Sequence, residues 1–463
     1  MISFTALIIL RLYSCSSSES SSGNSMTSTR HATKMKISGP SDYVNPFTGT
    51  QYFGHTFPGA CLPYAMVHVS PDCYNTGWTY AAGYTWSDNS IMGFSHTHFS
   101  GVGMTSGGDI LFQPTVNKKL QILPGSRENP DEGYRSRFDH SDEYASPGYY
   151  SVLLKDYNIN VELTATRRVA LHRYTFPESQ NSNIIIDLGH QIGTAKAPEF
   201  SEITIVNDTR VEGYKSTPAG RVFFCAEFSK PFLYYGTFDA TRRTPESDGG
   251  IFPFKSGEKG EKTGVFINYN TSDKEQILVK VALSYTGIEG ARKNLISEIP
   301  EWDFEQVKDN AEDIWNKELS RIEVHEATDE QKEIFYTALY HSLLAQYIGQ
   351  DVDGAYYGMD GKVHVARGYD FYPSFSCWDT YRTQHPLLTI IGSEHVNDFL
   401  KSIEAKIRDF GWLPAQHFSN VYRESMVGDH LIPIIVDAYL KGYRDFDAEF
   451  VYEAMKKDRK SVV

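Results

Sequence analysis

The feature that most constrains the fold is a change in hydrophobic period partway along the chain. Between Tyr43 and about Gly287, apolar residues recur at roughly every second position, as in Val161, Leu163 and Ala165, then Val169, Leu171 and Phe176. That spacing turns one face of a strand into a core. Further short runs follow at Ile184–Leu188, Ile203–Val206, Val222–Phe228, Phe232–Phe238, Val265–Tyr269 and Ile277–Tyr285, punctuated by Gly, Asn, Asp and Pro. So many short strands predict an antiparallel β-sandwich. Beyond Gly287 the period lengthens: Phe304, Val307, Ala311, Ile314 and Leu319 repeat at helical spacing. Thr328 and Gln331 form a capping box that opens a second helix through about Gln346. Val396, Leu400, Ile403, Ile407 and Phe410 make another stripe, Asp429 precedes a helix ending near Gly442, and Asp447 opens one carrying Phe450, Val451, Ala454 and Met455. About six amphipathic helices are expected, each needing a neighbour over its apolar side. The predicted organisation is a signal- or lipoprotein-like segment with a Ser-rich linker over 1–40, a β-sandwich over 41–290, and a helical linker with a partial helical domain over 291–463. With the last stripe so close to Val463, the helical domain is expected to be incomplete.

Composition narrows the ligand. The 463 residues carry 44 Lys+Arg against 58 Asp+Glu, a formal net charge of −14. Such an excess of carboxylates disfavours phosphate backbones and anionic lipid, which argues against nucleic acid and membrane surfaces as main partners. Tyr, Phe and Trp number 30, 27 and 6, an aromatic supply suited to flat, amphipathic ligands such as sugars. The apolar start Met1–Leu10 reads as an export signal, too short for a transmembrane helix. Leu12-x-Ser14-Cys15 followed by a serine run is similar to a lipoprotein processing site with Cys15 lipidated, although Arg11 follows the apolar run and Tyr13 is bulky. Cys61, Cys73, Cys225 and Cys377 lack metal-type spacing and read as buried free thiols, with a Cys61–Cys73 bridge open.

Three stretches carry candidate chemistry. Gly54–Pro63 leads through Gly77-Trp78 to Gly93–Gly101, and Gly and Pro at this density specify tight loops. Trp78 offers a stacking face to a sugar ring or fills a core. His96-x-His98 places two imidazoles on one strand face; with no third ligand in sequence, they read as hydrogen-bonding groups rather than a metal pair. Asp351-x-Asp353-Gly354 resembles the start of a calcium loop, but Lys362 stands where a bidentate Glu is required, which excludes an EF-hand. In Ser376–Arg382, Trp378, Asp379 and Arg382 combine a stacking platform, a hydroxyl acceptor and a forked donor; Asp379 also suits a helix N-terminus. Gly411-Trp412 continues through Asn420 and Glu424 to Asp429 and His430, where Glu424 and Asp429 could form an acid/base pair or Asp429 a helix cap.

The ordered series YVNPFTGT, GHTFPGACLPYAMVHVSPD, GWTYAAGY, IMGFSHTHFSG, CAEFSKPF, DVDGAYYGMDGKVH, SCWDTYRTQHPLLTI and SMVGDHLIPIIVDAYLKGYRDFDAE resembles glycoside hydrolase family 92 from about Tyr43 to about Met455. The resemblance implies a sandwich packed on an (α/α)6 barrel, of which about half is present. It implies calcium-dependent, inverting, exo-acting removal of terminal α-mannose, most often α-1,2, by a bacterial protein that is secreted, periplasmic or a cell-surface lipoprotein. Two carboxyl groups roughly 6.5–9.5 Å apart would act as acid and base. By resemblance Trp78, His96 and His98 line the site from the sandwich, Asp379 lies in the mannose pocket, and Trp378, Arg382, Glu424, Asp429 and His430 join the substrate-binding set. The general acid, the base and much of the Ca2+ shell are expected beyond Val463, leaving the chain as given inactive. The substrate class is a mannose-containing oligosaccharide or N-glycan. A non-catalytic mannose-binding protein and another sandwich-plus-barrel enzyme, such as a disaccharide phosphorylase, are the alternatives.

Overall fold

The structure, a computed structural model, describes residues 39–461 except 75, 104–106, 117–118, 194–197, 219, 243–249, 415–416, 419–420 and 423–427. The N-terminal segment with Cys15, as well as Asn420 and Glu424, therefore lies outside the described residues. Two large antiparallel sheets face each other. The first runs from edge to edge as Ala60–Cys61, His68–Asp72, Gly93–Ser95, Leu111–Val116, Ser179–Asp187, Thr263–Thr271, Tyr234–Asp239 and Ile251–Pro253. The second runs as Gly257–Gly260, Phe200–Asn207, Arg210–Thr217, Gly220–Phe228, Glu275–Ser284, Val169–Phe176, Ile159–Ala165, Tyr149–Leu154 and Glu143–Ser146.

Strand alternation explains the layering. Val161, Leu163, Tyr174, Val279 and Val281 point inward to meet Phe94, Ile184, Ile186, Val265 and Ile267 of the facing sheet in one core. Val169 and Leu171, one residue out of phase, point the other way, and with Tyr149 and Ala282 they pack on two helices. These are α1 (Ile288–Glu298), through Ala291 and Leu295, and α2 (Phe304–Leu319), through Phe304 and Val307. A sheet buried on both faces needs this cover.

The remaining helices are α3 (Asp329–Ser342), α4 (Cys377–Thr380), α5 (Gln384–Ile391), α6 (Ser393–Phe410), α7 (Leu431–Leu440) and α8 (Ala448–Ser461). Val396, Leu400, Ile403 and Ile407 of α6 are buried as the periodicity requires, in the same core as Leu388, Ile434 and Val451. The capping box at Thr328 and Gln331 is formed, and Asp447 caps α8 by accepting from the Phe450 amide at 3.0 Å. Several expectations need correcting. In α2 it is Trp315, four residues after Ala311, that fills the core, while Ile314 is 40% exposed. Helix α3 stops at Ser342, short of Gln346, because Leu343–Ile348 turn into a buried irregular segment that bonds to the sandwich. Helix α1 is not evident from periodicity, because its stripe of Ala291 and Leu295, with Ile299 just past its end, is narrow. The N-cap of α7 is His430 rather than Asp429. The four described cysteines are free and buried, so Cys61 and Cys73 are not bridged.

The turn between Ile159–Ala165 and Val169–Phe176 ties the layers together. Its Arg168 donates from Nη1 to Glu298 of α1 at 2.7 Å and from Nε to the Gln350 carbonyl at 2.7 Å. Neighbouring Arg167 pairs with Asp370, which also accepts from the Gln350 amide at 2.6 Å. The loop after Cys61 reinforces the seam. Trp315 Nε1 donates to the Cys61 carbonyl at 2.8 Å, and the Ile348 amide donates to the Tyr64 carbonyl at 3.0 Å.

Two outcomes follow from this packing. The Arg168–Glu298 pair is 8% and 13% exposed, and removing one partner of a buried pair typically costs ~3–5 kcal/mol. Arg168→Ala should lower unfolding stability by about that amount in a denaturant titration; a loss under ~1 kcal/mol would contradict the clamp. Buried histidines also make the fold acid-sensitive. Burial holds His68, His341 and His385 down at about 4, each with an unpartnered Nε2. Folded values below the ordinary 6.5 mean that the unfolded chain takes up protons first, so their contribution is complete above pH ~6.5 and lost as pH falls toward 4. The melting temperature should drop across that window, and a flat profile would contradict it.

Candidate functional site

On the sandwich side the site begins with the Gly/Pro-rich loops. Trp78 is 49% exposed and Phe53 is 66% exposed, with ring centroids 5.2 Å apart. His55 meets the Trp78 ring edge-on at 4.7 Å. Trp78 Nε1 donates to the Gly103 carbonyl, and a Cβ on Gly103 would sit 2.7 Å from the indole, so glycine is what lets the ring lie against that loop. His55 is buried in a positive-φ conformation (φ 52°), and neither of its ring nitrogens has a hydrogen-bond partner. Backbone strain of this kind concentrates at functional sites. The motif GHTFPG carried this signal, but nothing in its spacing singled out His55 or Phe53.

The structure separates His96 and His98 from that surface. The strand Gly93–Ser95 ends before them, and both rings are buried with different partners. Tyr174 donates to His172 Nδ1 at 2.9 Å, His172 Nε2 donates to His96 Nε2 at 2.9 Å, and His96 Nδ1 donates to the Ile110 carbonyl at 2.6 Å. Every member of that chain is satisfied with neutral rings, in keeping with burial holding His96 down at about 3 and His172 well below the ordinary range. His98 donates to Asp72 Oδ1 at 2.8 Å and to the His68 carbonyl at 2.7 Å; His190 donates to Asp72 Oδ2 at 2.8 Å. Burial by itself raises the Asp72 pKa, but the two imidazoles outweigh it and hold the carboxyl well below the carboxylate range. These networks fix the loop just beyond, whose Gly101 amide donates to the His55 carbonyl at 2.7 Å.

On the helical side, Ser376 adopts φ 26° and ψ 53° immediately before the one-turn helix α4. This strained residue turns Trp378 and Asp379 outward; both are exposed, Trp378 at 46%. Asp379 Oδ2 accepts from the Ser376 hydroxyl at 2.7 Å, leaving its other oxygen for a ligand hydroxyl. Arg382 lies with its guanidinium 5.0 Å from the Tyr381 centroid, and Tyr381 stacks on His430 at 4.6 Å and 18°. The structure therefore brings Arg382 and His430 together on Tyr381, two residues after Asp379. Asp429 precedes His430 and accepts the Ile432 amide through its carbonyl at 3.1 Å.

A continuous series of contacts links the two groups. Phe99, next to His98, meets Tyr347 at 5.6 Å; adjacent Gln346 exchanges amide hydrogen bonds with Gln384 at 3.0 and 3.3 Å; Gln384 begins α5, two residues after Arg382. Exposed indoles, a carboxylate and a guanidinium are groups that can stack on a sugar ring and bond its hydroxyls. The Asp351-x-Asp353 stretch has another role: Asp351 accepts from Ser284 at 2.9 Å, from Thr286 and from Asn294 at 2.8 Å, fastening the sandwich to α1.

Comparison with known proteins agrees with this architecture. Residues 43–284 match the glycosyl hydrolase family 92 N-terminal domain, and residues 290–462 match the glycosyl hydrolase family 92 catalytic domain. A family GH92 alpha-mannosidase from Bacteroides thetaiotaomicron superposes with a TM-score of 0.83 at 34% identity, over 90% of this chain and 56% of that one. A family GH92 inverting mannosidase from the same bacterium gives a TM-score of 0.78 at 27% identity, over 91% and 55%. An uncharacterized secreted glycosidase of Arthroderma benhamiae is 27% identical over 447 residues, 90% of this chain and 51% of that protein. The chain thus spans about half the length of these relatives. Matched along both its sheet and helical portions, it belongs to glycosyl hydrolase family 92.

Proposed function

We propose that the chain forms part of an exo-acting α-mannosidase that removes terminal α-1,2-linked mannose from N-glycans or mannans by hydrolysis with inversion. The observation that carries this reading is the placement of Trp78 and of the Trp378–Asp379–Arg382 group on loops linked across the seam, in a chain whose structural relatives are mannosidases. In this reading Trp78 stacks on the sugar, Asp379 accepts from ring hydroxyls of the terminal mannose, and Arg382 and His430 flank it around Tyr381. Trp378 supplies a second apolar face, Asp429 lies beside His430, and Glu424 joins the substrate-binding set through the family resemblance alone. His96 and His98 serve from below, by holding the Phe99–Gly101 loop. Inversion requires an acid and a base on opposite faces of the scissile bond; we assign neither to the described residues. Working domain limits are 41–290 and 291–463.

Calcium dependence belongs to the proposal through the family resemblance. Calcium takes six to eight oxygen ligands, and among the described residues the one convergence of three His, Cys, Asp or Glu ligand atoms is Asp360, His364 and Asp409. One imidazole with two carboxylates does not fit calcium, so no catalytic step is routed through that ion here. Export, with Cys15 as a lipid anchor, is proposed from the N-terminal sequence; the curated relative is described as secreted, and no described helix is long and apolar enough to cross a membrane.

Release of mannose from α-1,2-mannobiose by the protein carrying this chain, with calcium and after chelation, tests the reading. Calcium-dependent release is expected, with Asp379→Asn lowering turnover at least ~100-fold, ~2.7 kcal/mol in barrier, at unchanged folding. Wild-type kinetics in that variant would remove Asp379 from the site, and binding without turnover in the unmodified protein would favour a mannose-binding protein. Trp78→Ala should weaken α-mannoside binding about tenfold, ~1.4 kcal/mol, with little change in melting temperature. A loss of folding instead would assign the indole to structure.

A further inference from the structure

We infer that Asp360, His364 and Asp409 form a binding site for a zinc-type divalent cation that pins the hairpin Ala355–Val365 to the C-terminal end of α6. The hairpin pairs Ala355–Tyr357 with Val363–Val365 and carries Asp360 at its tip and His364 on its return strand. Asp409 is the penultimate residue of α6. One ligand atom from each of the three residues lies within 4.8 Å of the other two. His364 Nε2 is 2.9 Å from Asp360 Oδ1 and 3.6 Å from Asp409 Oδ1. A tetrahedral zinc site with metal–ligand bonds near 2.0–2.1 Å holds its donors ~3.3 Å apart, so these positions bracket the required spacing.

Two further observations point to a ligand rather than to a simple ion pair. The Asp409 side chain is 7% exposed, yet its Oδ2 has no hydrogen-bond partner, and an orphaned buried carboxylate oxygen is costly unless a cation or donor meets it. Gly358 forms the floor: a Cβ there would lie 2.6 Å from Asp409 Oδ2, 2.6 Å from His364 Cδ2 and 3.0 Å from Asp360 Oδ1. All three groups converge above this glycine. Lys362 Nζ, 3.4 Å from Asp360 Oδ2, sits on a side chain 77% exposed and is free to leave when a metal enters. One nitrogen and two carboxylate donors match zinc and neighbouring first-row divalent ions, with a fourth position open to water, and suit neither calcium nor magnesium. The ion would join a hairpin that leads to the Ser376 turn with a helix end that leads into Gly411-Trp412. This inference does not depend on the proposed mannosidase activity.

Equilibrium dialysis of the untagged 463-residue chain against zinc chloride alone, with bound metal counted by elemental analysis, tests it. One equivalent is expected, accompanied by a rise in melting temperature, and a large excess of calcium should not displace it. Asp409→Asn and His364→Gln should each lower affinity more than ~100-fold, beyond the 10–100-fold typical for groups outside the ligand set; Lys362→Ala should leave or strengthen binding. Should Asp409→Asn fail to fold, Asp360→Asn on the exposed hairpin carries the same test. Absence of zinc binding, or one equivalent retained undiminished in the His364→Gln and Asp360→Asn variants, would overturn the assignment.

Discussion

Sandwich and helices are locked together at the turn Arg167-Arg168, where Arg168 is buried and Arg167 half-buried. A hairpin turn ordinarily faces solvent, but this one is driven into the seam because Arg168 is engaged on three sides. Its side chain reaches Glu298 and the Gln350 carbonyl, and its amide donates to the other Glu298 oxygen at 2.8 Å. Through Gln350 and Asp370 the same contacts hold the segment leading to Tyr372 and Ser376. Guanidinium geometry suits this role, since a planar fork can satisfy a carboxylate and a carbonyl at once. Aromatic contacts add to the seam: Tyr64 lies against His395 at 4.4 Å, and Trp315 against Tyr340 at 4.6 Å.

From that seam the candidate site inherits its geometry. Each half presents aromatic and polar side chains on a loop fixed from beneath. Under the sandwich loops lie two histidine networks that have no exposed member, and under α4 lies a backbone held at φ 26°. Buried polar networks of this kind rigidify when fully satisfied. Rigid support explains how indoles as exposed as Trp78 and Trp378 keep a defined orientation instead of collapsing onto the protein.

Much of the fold could be read from period alone. The inward set at Val161, Leu163 and Ala165, and the stripe on α6, are strong because each faces a large core. Alternation did not reveal that Val169 and Leu171 face the opposite side, since a strand buried on both faces looks the same from either. Ile314 and Trp315 show the limit of helical spacing: one residue is about a quarter turn, and the larger ring wins the buried position. At the site, Trp78 and the Trp378–Arg382 group were legible as exposed chemistry in Gly-rich or turn contexts. His55 and Phe53 were not, because a ring contact between loops leaves no mark in spacing. His96 and His98 read as hydrogen-bonding imidazoles, which they are, but spacing did not reveal that the preceding strand lies in the interior and carries them inward.

Sandwich and helices form one structure, fastened at Arg167-Arg168, so that loops from both can build a single site. Differential scanning calorimetry of the 463-residue chain tests this most directly. One unfolding transition is expected, with calorimetric and van't Hoff enthalpies that agree. Two separate transitions, with the sandwich melting independently of the helices, would contradict it.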